Sequence, residues 1–570
     1  MANKKSRKGK AQTTSASSED VTPQTQQAAS AKDQSASAGV LNPIWAKAFT
    51  FSLLAVFVLM AVMSFSYGLS GDEVDMNEYG KAIFKYFSTF GADKTVFNMP
   101  EMYDRDGVIL YYGGFFDFIC AIFNKFSPFG EYTTRHILNA WAGFLAIFFS
   151  ARIVALVSDK RMATIAVWLM FLSPFFLGHA MNNPKDIPLA TGYIAGVYFI
   201  IRFFERFPSV KWTDYLWVIL SIGITINIRV AGILLIPYLF VYVGILYMMK
   251  NFSSKGSFKI NTYIKPLLII SALGYLTGSL FWPYALQNPL SNPLEALSVM
   301  SDFKVNLGQI WEGDKVYSGE LPKGYLIKSF FLTNTYALLG GLILFFLFFR
   351  SVSKSEKANV IYFVAFTALF PLFYIIYKKS NVYHAWRHVL FIFPSVVVIA
   401  TLGWQYVNSF AKRAYGKAGV GIALVGLLLL EPVVYTVTTF PNTVAYYNAF
   451  AGGVKGAYGN YEMDYYYNSV KQCTDYFIKN ELPKVPDGKQ VLLLSNANHL
   501  TTQYLKGYDK VATDYVRYYE RDARDYDYAI FHMALVPLNE IQAESWVPQN
   551  AIFVARVKGK PLCILVKKEK

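Results

Sequence analysis

Cysteine is scarce in this chain, and the scarcity excludes two kinds of architecture. The 570 residues include three cysteines, Cys120, Cys473 and Cys563. They lack the spacing of a zinc ligand set, and they form no obvious disulfide framework. Cys473 and Cys563 could still pair near the C-terminus, although two buried thiols are the interpretation that we favour.

Large apolar residues are almost absent from the first forty residues, which are rich in Ser, Ala, Gln, Thr and Lys. Such a segment cannot bury enough apolar surface to fold, so residues 1–45 are predicted to be a disordered tail. The basic start of this tail favours the cytoplasmic side of a membrane. The first hydrophobic run is too long, and starts too late, for a cleaved signal peptide.

Apolar sequence is abundant in the rest of the chain. Hydrophobic residues make up 54% and aromatic residues 17%, with a mean hydropathy of +0.29. These values predict a polytopic α-helical membrane protein. We predict about eleven membrane spans, at residues 47–69, 137–157, 162–178, 187–204, 213–227, 230–249, 266–284, 333–350, 359–377, 389–405 and 418–438.

The positive charge is arranged around these spans. The net charge of +16 would suggest nucleic acid as the partner of a soluble protein. Here Lys and Arg concentrate in alternate loops, as the positive-inside rule describes, so no nucleic-acid partner is expected. The pattern predicts a cytoplasmic N-terminus, although the basic loop 378–388 breaks the alternation.

Two outer loops are predicted between the spans. The apolar stretch 110–126 would reverse every later loop if it crossed the membrane, so we expect it to lie along the outer interface. The first outer loop, 70–136, would then contain interfacial helices, because the stretch before 110 has apolar residues at helical spacing. The second outer loop, 285–332, is rich in Pro, Gly and polar residues.

The last part of the chain has a different pattern. Residues 440–570 contain short apolar runs separated by polar and helix-like stretches, which predicts a small α/β domain. Eleven spans after a cytoplasmic start place this domain outside the cytoplasm. The predicted organisation is a tail at 1–45, a transmembrane domain at 46–439 and an extracytoplasmic domain at 440–570.

Ionisable residues collect at the outer ends of the predicted spans. Burying such groups is costly, so they are candidates for function. They are Asp72, Glu73, Asp75, Arg135, His136, His179, Lys185, Asp186, Arg229, His384, Arg387 and His388.

The acidic pair Asp72-Glu73 directly follows the first span. A carboxylate there could take the proton from an acceptor hydroxyl as its oxygen attacks an electrophilic carbon. It could also hold a divalent metal. The structural alternative is a solvated turn that ends the span.

The basic candidates suit an anion. Arg135 has the charge and the planar donor fork for phosphate, or it extends to the interface as an anchor. In the turn 178–186, Lys185 or His179 could meet an anionic lipid headgroup, while Asp186 could cap the next helix.

The segment 383–388 has the highest density of basic and aromatic candidates, with His384, Arg387 and His388 beside Tyr383 and Trp386. A zinc site would need carboxylate or cysteine partners that this spacing does not supply. An anion site fits better, and an interfacial aromatic belt with basic anchors is the alternative.

Together these residues resemble the glycosyltransferase C (GT-C) superfamily, specifically family 39 and its bacterial protein O-mannosyltransferase-like members. The resemblance covers roughly residues 45–470. Its motifs are Asp72-Glu73, Arg135 at the head of the second span, Pro174…His179…Asp186-Ile187-Pro188, the segment 383–388 before a Phe-Pro span, and Pro441-Asn442…Tyr446-Tyr447-Asn448…Gly452-Gly453…Gly456-Ala457.

The resemblance implies a GT-C-like fold and an inverting hexosyltransferase-like enzyme. Its donor would be a polyprenyl-phosphate-linked sugar, used on the extracytoplasmic face, with a protein, lipid or glycan as acceptor. Asp72 would be the catalytic base, supported by Glu73, and Arg135 would face the phosphate or the reacting centre.

Two features depart from the family pattern. The loop 285–332 is too short for the β-trefoil insert of the eukaryotic enzymes, which predicts a bacterial inner-membrane protein. The cluster 383–388 matches no role fixed across the family. Charge alone predicts phosphate binding by His384, Arg387 and His388, and the same argument extends to Lys185 and Arg229.

Two other functions remain as alternatives. A polytopic transporter would use the embedded charges to bind its cargo, but the sequence shows no internal repeat and no paired Gly/Pro-broken spans. The candidate charges also collect on one face of the membrane. A non-catalytic assembly subunit would keep the fold and use the C-terminal domain for binding.

Overall fold

A computed structural model of the protein describes residues 23–99, 108–252, 258–301, 305–352, 354–417 and 419–568. Helices dominate the chain up to residue 439, and a sheet follows in the C-terminal part. The first ten helices are α1 (Pro23–Ser64), α2 (Glu73–Ser88), α3 (Phe115–Asn124), α4 (Glu131–Val157), α5 (Lys160–Phe171), α6 (Pro174–Asn182), α7 (Asp186–Arg206), α8 (Trp212–Ile228), α9 (Leu235–Phe252) and α10 (Asn261–Thr277).

The second predicted outer loop contains short helices and a hairpin, and further long helices come after it. The elements are α11 (Pro283–Gln287), α12 (Asn292–Ser301), the antiparallel strands β1 (Gly308–Trp311) and β2 (Asp314–Tyr317), α13 (Tyr325–Leu332), α14 (Tyr336–Leu347), α15 (Phe349–Val352), α16 (Ala358–Lys378), α17 (Phe393–Tyr415), α18 (Val420–Leu428) and α19 (Leu430–Thr439).

The multi-pass prediction is confirmed, whereas the count of eleven spans is not. Among the described residues, seven helices are long and apolar enough to cross a membrane. The pair α5 and α6 passes the same test together, but it is bent by 70°. The bend falls where Pro174 begins α6, because proline cannot continue the preceding helix. The predicted segments at α8, α10 and α14 are helical but shorter, with 17, 17 and 12 residues.

Helix α1 begins well before its apolar part. It starts at Pro23, whereas the membrane-length segment is Pro43–Ser64. The helix therefore extends into the stretch predicted as a disordered tail, and residues 1–22 of that stretch lie outside the described residues. Elongation of an existing helix needs no new nucleus, and the Ala and Gln residues of this stretch favour it.

The first predicted outer loop contains two helices that are too short to cross a bilayer. Helix α3 has 10 residues and so is about 15 Å long, half the thickness of the hydrocarbon core. Helix α2 packs against it and buries one apolar face that includes Tyr79 and Ile83. The apolar stretch 110–126 therefore contains no membrane-length helix, and its place along the outer interface stays a prediction.

The C-terminal part contains the predicted α/β fold. Its elements are α20 (Gly453–Ala457), α21 (Asn468–Tyr476), β3 (Val491–Ser495), α22 (Asn498–Leu505), β4 (Val511–Tyr515), β5 (Tyr528–His532), α23 (Leu538–Gln542), β6 (Ala551–Val557) and β7 (Lys560–Lys567). The strand order is β4-β3-β5-β7-β6, parallel around β3 and antiparallel around β7. Apolar clusters cover both faces of this sheet, so its central strand β5 is buried throughout.

The C-terminal part holds the segment that follows α1. The hydroxyl groups of Tyr67 and Thr443 lie 2.7 Å apart. Backbone N–H groups of Gly68 and Leu69 donate to the side chains of Asn468 and Tyr504. These contacts fix the backbone just before Asp72 from residues roughly 400 positions away.

The orientation of the chain leads to a labelling prediction. A cysteine at Asp487, whose side chain is fully exposed, should react with a membrane-impermeant thiol reagent in intact spheroplasts. Lys354 is exposed in a basic loop, so a cysteine there should react only after permeabilisation. The three native cysteines are buried, so the parent protein provides the unlabelled control. The reverse labelling pattern would contradict the predicted topology.

Candidate active site

Asp72 lies at the N-terminal end of α2 and contacts two cations. Its carboxylate is 3.4 Å from Lys185 Nζ and 3.6 Å from Arg387 Nη1. The hydroxyl of Tyr466 donates to the same carboxylate at 3.4 Å. The side chain keeps 27% of its surface exposed, so a substrate can reach it. Burial alone would raise the pKa of Asp72, but Lys185 and Arg387 lower it below its usual range.

Asp186 is the second carboxylate of the same network. It forms an ion pair with Arg229, and its Oδ2 lies 3.6 Å from Arg387 Nε. The amide of Asn183 donates to it at 2.9 Å. Asp186 therefore holds Arg229 and Arg387 in place. The predicted capping role of Asp186 is wrong, because Asp186 is the first residue of α7 and Lys185 occupies the N-cap position.

Aromatic rings surround the three cations. Lys185 Nζ lies 4.7 Å from the centre of the Tyr112 ring, which Arg229 also approaches. The Arg387 guanidinium lies 5.2 Å from the Tyr383 ring and 5.3 Å from the Tyr466 ring. Ring faces attract cations that have lost part of their water. Among the described residues, these three cations directly contact two carboxylates, Asp72 and Asp186, so this cluster carries one more positive charge than negative charge.

A glycine brings Tyr112 to this cluster. A Cβ atom on Gly113 would lie 1.7 Å from the carbonyl oxygen of Asn227, which is far inside van der Waals contact. The absence of a side chain therefore lets the outer loop touch the end of α8, just before Arg229.

Glu73 points away from Asp72 and its cations. Its carboxylate lies 3.0 Å from His136 Nε2 and accepts the N–H of Ser70 at 2.8 Å. These contacts fix the turn into α2. The two neighbouring carboxylates thus diverge and do not fit one shared metal ion. Within the described part of the chain, no three His, Cys, Asp or Glu side chains cluster as metal ligands.

Arg135 is buried one layer behind the cluster. Its guanidinium donates to Asp117 at 2.5 Å, and only 1% of its side-chain surface is exposed. Its Nε and Nη1 atoms have no partner, so it keeps two donors for another group. The phosphate role of Arg135 stays a prediction, while its structural partner, Asp117, was not anticipated.

The other three histidines among the candidates, besides His136, have different neighbours. His179 lies between Asn183 and Tyr465, with Nε2 2.6 Å from the tyrosine hydroxyl. The ring of His384 stacks on Tyr465 at 4.6 Å. His388 packs 4.4 Å from the Tyr383 ring. Their predicted site roles stay predictions, since none of these contacts involves the cations around Asp72.

Sequence reasoning missed the contribution of the C-terminal part. Tyr466 contacts both Asp72 and Arg387, the latter at 2.9 Å. The signal that could have found it is the run Glu462-Met463-Asp464-Tyr465-Tyr466-Tyr467, where acidic and tyrosine residues follow a glycine-rich turn. Nothing in the local pattern reveals that this run returns to the end of α1.

A protein-family model matches the part of the chain that contains most of these site residues. Residues 115–278 match a family model described as dolichyl-phosphate-mannose-protein mannosyltransferase. The match includes Arg135, Lys185, Asp186 and Arg229, and it confirms the resemblance given by the sequence motifs. Over these residues, the chain is similar to a family of membrane glycosyltransferases. Among curated protein sequences, none matches this chain significantly.

Solved structures similar to this chain include two of ArnT from Cupriavidus metallidurans. The one bound to undecaprenyl phosphate has 11% sequence identity and a TM-score of 0.44, covering 91% of this chain and 98% of that one. The apo form has the same identity and coverage and a TM-score of 0.45. The apo oligosaccharyltransferase of Archaeoglobus fulgidus has 11% identity and a TM-score of 0.45, covering 84% of this chain and 69% of that one.

Proposed function

We propose that the protein transfers a sugar from a polyprenyl-phosphate donor to an acceptor hydroxyl at the extracytoplasmic face of a bacterial inner membrane. The observation that carries this proposal is the shared contact of Asp72 with Lys185 and Arg387. It places a proton acceptor 3.4 Å from Lys185 Nζ and 3.6 Å from Arg387 Nη1, two cations that suit a phosphate.

The donor phosphate binds to Lys185, Arg229 and Arg387. A sugar linked through a phosphodiester carries one negative charge, which matches the one excess positive charge of the cluster. Arg387 supplies a planar fork for two phosphate oxygens, and Lys185 supplies a point charge. Because the polyprenyl chain stays in the lipid, the protein must bind the phosphate at the membrane interface. Lys185, Arg229 and Arg387 suit this position, since each lies at or beside the end of a helix.

Asp72 accepts the proton of the acceptor hydroxyl. With Lys185 and Arg387 in contact, the low pKa of Asp72 keeps it ionised but makes it a weak base. The phosphate of the bound donor neutralises the same two cations, which raises the pKa of Asp72 toward its ordinary value. Donor binding thereby strengthens the base at the moment when it is needed.

The reaction is a single displacement with inversion. The acceptor oxygen forms a bond to the anomeric carbon while the bond from that carbon to the phosphate oxygen breaks. The hydroxyl proton moves to Asp72, and the electron pair leaves with polyprenyl phosphate, which gains a negative charge. Lys185, Arg229 and Arg387 stabilise this developing charge because they are already oriented toward it.

The neighbouring residues position this centre. Glu73, held by His136 and Ser70, fixes the turn that presents Asp72. His179 contacts Tyr465, and Asp186 holds Arg229 and Arg387. The carboxylates of Asp72 and Glu73 diverge, so no step is assigned to a metal ion.

A transfer assay tests the proposal. The purified protein in lipid nanodiscs should convert undecaprenyl-phosphate-linked hexoses to undecaprenyl phosphate, detected by mass spectrometry, and faster when an envelope extract is supplied as acceptor. A strain lacking the protein should lose a defined glycan or glycoprotein mass from its envelope. Failure of every hexose donor, together with an unchanged envelope, would contradict the proposal.

A further inference from the structure

A small second chamber adjoins the reacting centre on the side of the C-terminal part. It lies between the β1–β2 hairpin, helix α13 and the segment after α20. The rings of Trp311, Tyr325, Tyr447 and Tyr461 line it, together with Glu462. Trp311 pairs with Tyr461 through an isolated β-bridge, which fixes the hairpin to the C-terminal part.

Polar atoms without hydrogen-bond partners belong to residues that line this chamber or are neighbours of the lining residues. Trp311 Nε1 and Glu462 Oε2 belong to lining residues, and His384 Nδ1 and Gln309 Nε2 belong to their neighbours; all four are buried without a hydrogen bond. Trp311 is only 7% exposed. Buried polar groups in native proteins nearly always have partners, so several orphans in one place indicate a missing polar group.

Other polar groups around the chamber form hydrogen bonds of normal length. The hydroxyl of Tyr325 donates to Gln309 Oε1 at 2.7 Å and accepts the N–H of Ala385 at 2.8 Å. These bonds hold His384 and Ala385 in the left-handed region, each at a φ of 56°. Two consecutive non-glycine residues in this region are strained, and such strain persists where the surrounding structure fixes it for function.

The chamber connects to the reacting centre through His384. Its Nε2 lies 3.8 Å from Glu462 Oε1, and its ring stacks on Tyr465. The next residue, Tyr466, contacts Asp72 and Arg387. Glu462 is therefore linked to the reacting centre by contacts through His384 and the adjacent tyrosines.

The polar side chains and the size of the chamber indicate which chemical group it binds. Burial raises the pKa of Glu462 to about 8, although Arg387 opposes the shift, so its carboxyl group is protonated at neutral pH and both donates and accepts. Trp311 can only donate. The cavity has room for about one water-sized group. A neutral group of that size that both donates and accepts is a hydroxyl.

We propose that Glu462, Trp311 and His384 form a subsite that binds one hydroxyl group of a substrate sugar beside the reacting centre. The proposal rests on the glycosyltransferase function proposed above and adds the residues that recognise the sugar. The hydroxyl belongs either to the donor sugar or to an acceptor sugar, and the experiment separates these sources.

Trp311→Phe is the decisive variant, because it keeps the ring and removes the indole N–H. It should raise the KM for the sugar that carries the hydroxyl about tenfold, the scale of one lost hydrogen bond to a buried group, while kcat changes little. Glu462→Leu should act in the same direction. Glu462→Gln should be milder, since an amide also donates and accepts. Trp404→Phe is the matched control, because the indole of Trp404 donates to the carbonyl of Ala337 instead.

Two reactions of undecaprenyl-phosphate-linked hexoses distinguish the sources. A KM change in donor hydrolysis without acceptor assigns the hydroxyl to the donor sugar. A change in acceptor KM alone assigns it to an acceptor sugar. Normal KM values for Trp311→Phe and Glu462→Leu in both reactions would mean that the chamber holds an ordered water only, and would overturn the proposal.

A binding measurement tests the subsite independently of whether the protein catalyses the proposed transfer. If the wild-type protein proves inactive with every donor, methyl glycosides are titrated against the intrinsic fluorescence of the protein. A saturable change that Trp311→Phe abolishes and Trp404→Phe retains supports the subsite. The same saturation curve in both variants, or no saturation in the wild-type protein, rejects it.

Discussion

Asp72→Asn should reduce turnover by on the order of 100-fold or more, because the asparagine amide cannot accept the hydroxyl proton. Donor affinity should not fall with it. In the resting enzyme the Asp72 carboxylate contacts Lys185 and Arg387, so it competes with the donor phosphate for these two cations. Removal of its charge should leave donor binding unchanged or tighter. The measurement is kcat and donor Kd in lipid nanodiscs.

The matched control for this variant is Asp93→Asn. Asp93 lies in the same outer loop but pairs with Lys85 at 2.6 Å, so its replacement should leave both constants unchanged. Equal turnover of Asp72→Asn and the wild-type protein would remove Asp72 from the mechanism. A parallel fall in donor affinity would instead indicate that Asp72 shapes the binding site.

Arg387→Ala should reduce turnover by a similar factor, about 100-fold or more, the scale for removing one preorganised group that stabilises developing charge. Arg387 contacts both Asp72 and Asp186, and its side chain is only 9% exposed. Arg387→Lys keeps the charge but loses the fork, so its defect should be milder. The product, polyprenyl phosphate, carries more negative charge than the donor. In Arg387→Ala, the affinity for undecaprenyl phosphate, measured as inhibition by added product, should therefore fall more than the affinity for the donor.

Arg350→Ala serves as the control, since Arg350 is exposed at a basic loop away from the cluster. A defect confined to donor affinity, with normal turnover, would mean that Arg387 binds the donor equally in the ground and transition states. Unchanged affinity and turnover would show that Arg387 only anchors the helix at the interface, and would move the search to Lys185 and Arg229.

The local sequence determined which segments are helices and where charge collects. All eleven predicted hydrophobic segments are helical, because a continuous apolar run in lipid must satisfy its backbone hydrogen bonds internally. Hydropathy could not fix the number of crossings. The bend has a local cause in Pro174, but a hydropathy window does not register it. The lengths of the short helices α8 and α14 depend on how neighbouring helices pack, which a window of sequence does not contain.

The same limit applies to the site. Sequence identified Asp72, Lys185, Arg229 and Arg387 as charges at span ends, and the structure brings them together. It could not tell that Glu73 faces His136, because neighbouring residues at the start of a helix point about 100° apart and either could have faced the cations.

Only the tertiary structure revealed the part that the C-terminal region plays. Tyr466 reaches Asp72 across 394 positions of sequence, and Glu462 and Trp311 meet only when the hairpin packs against that region. Apolar and charged patterns act over a few residues, so they determine the spans, the basic loops and the acidic turn. Contacts between distant segments come from the packing of whole elements, and that packing decided which of the candidate side chains share one site.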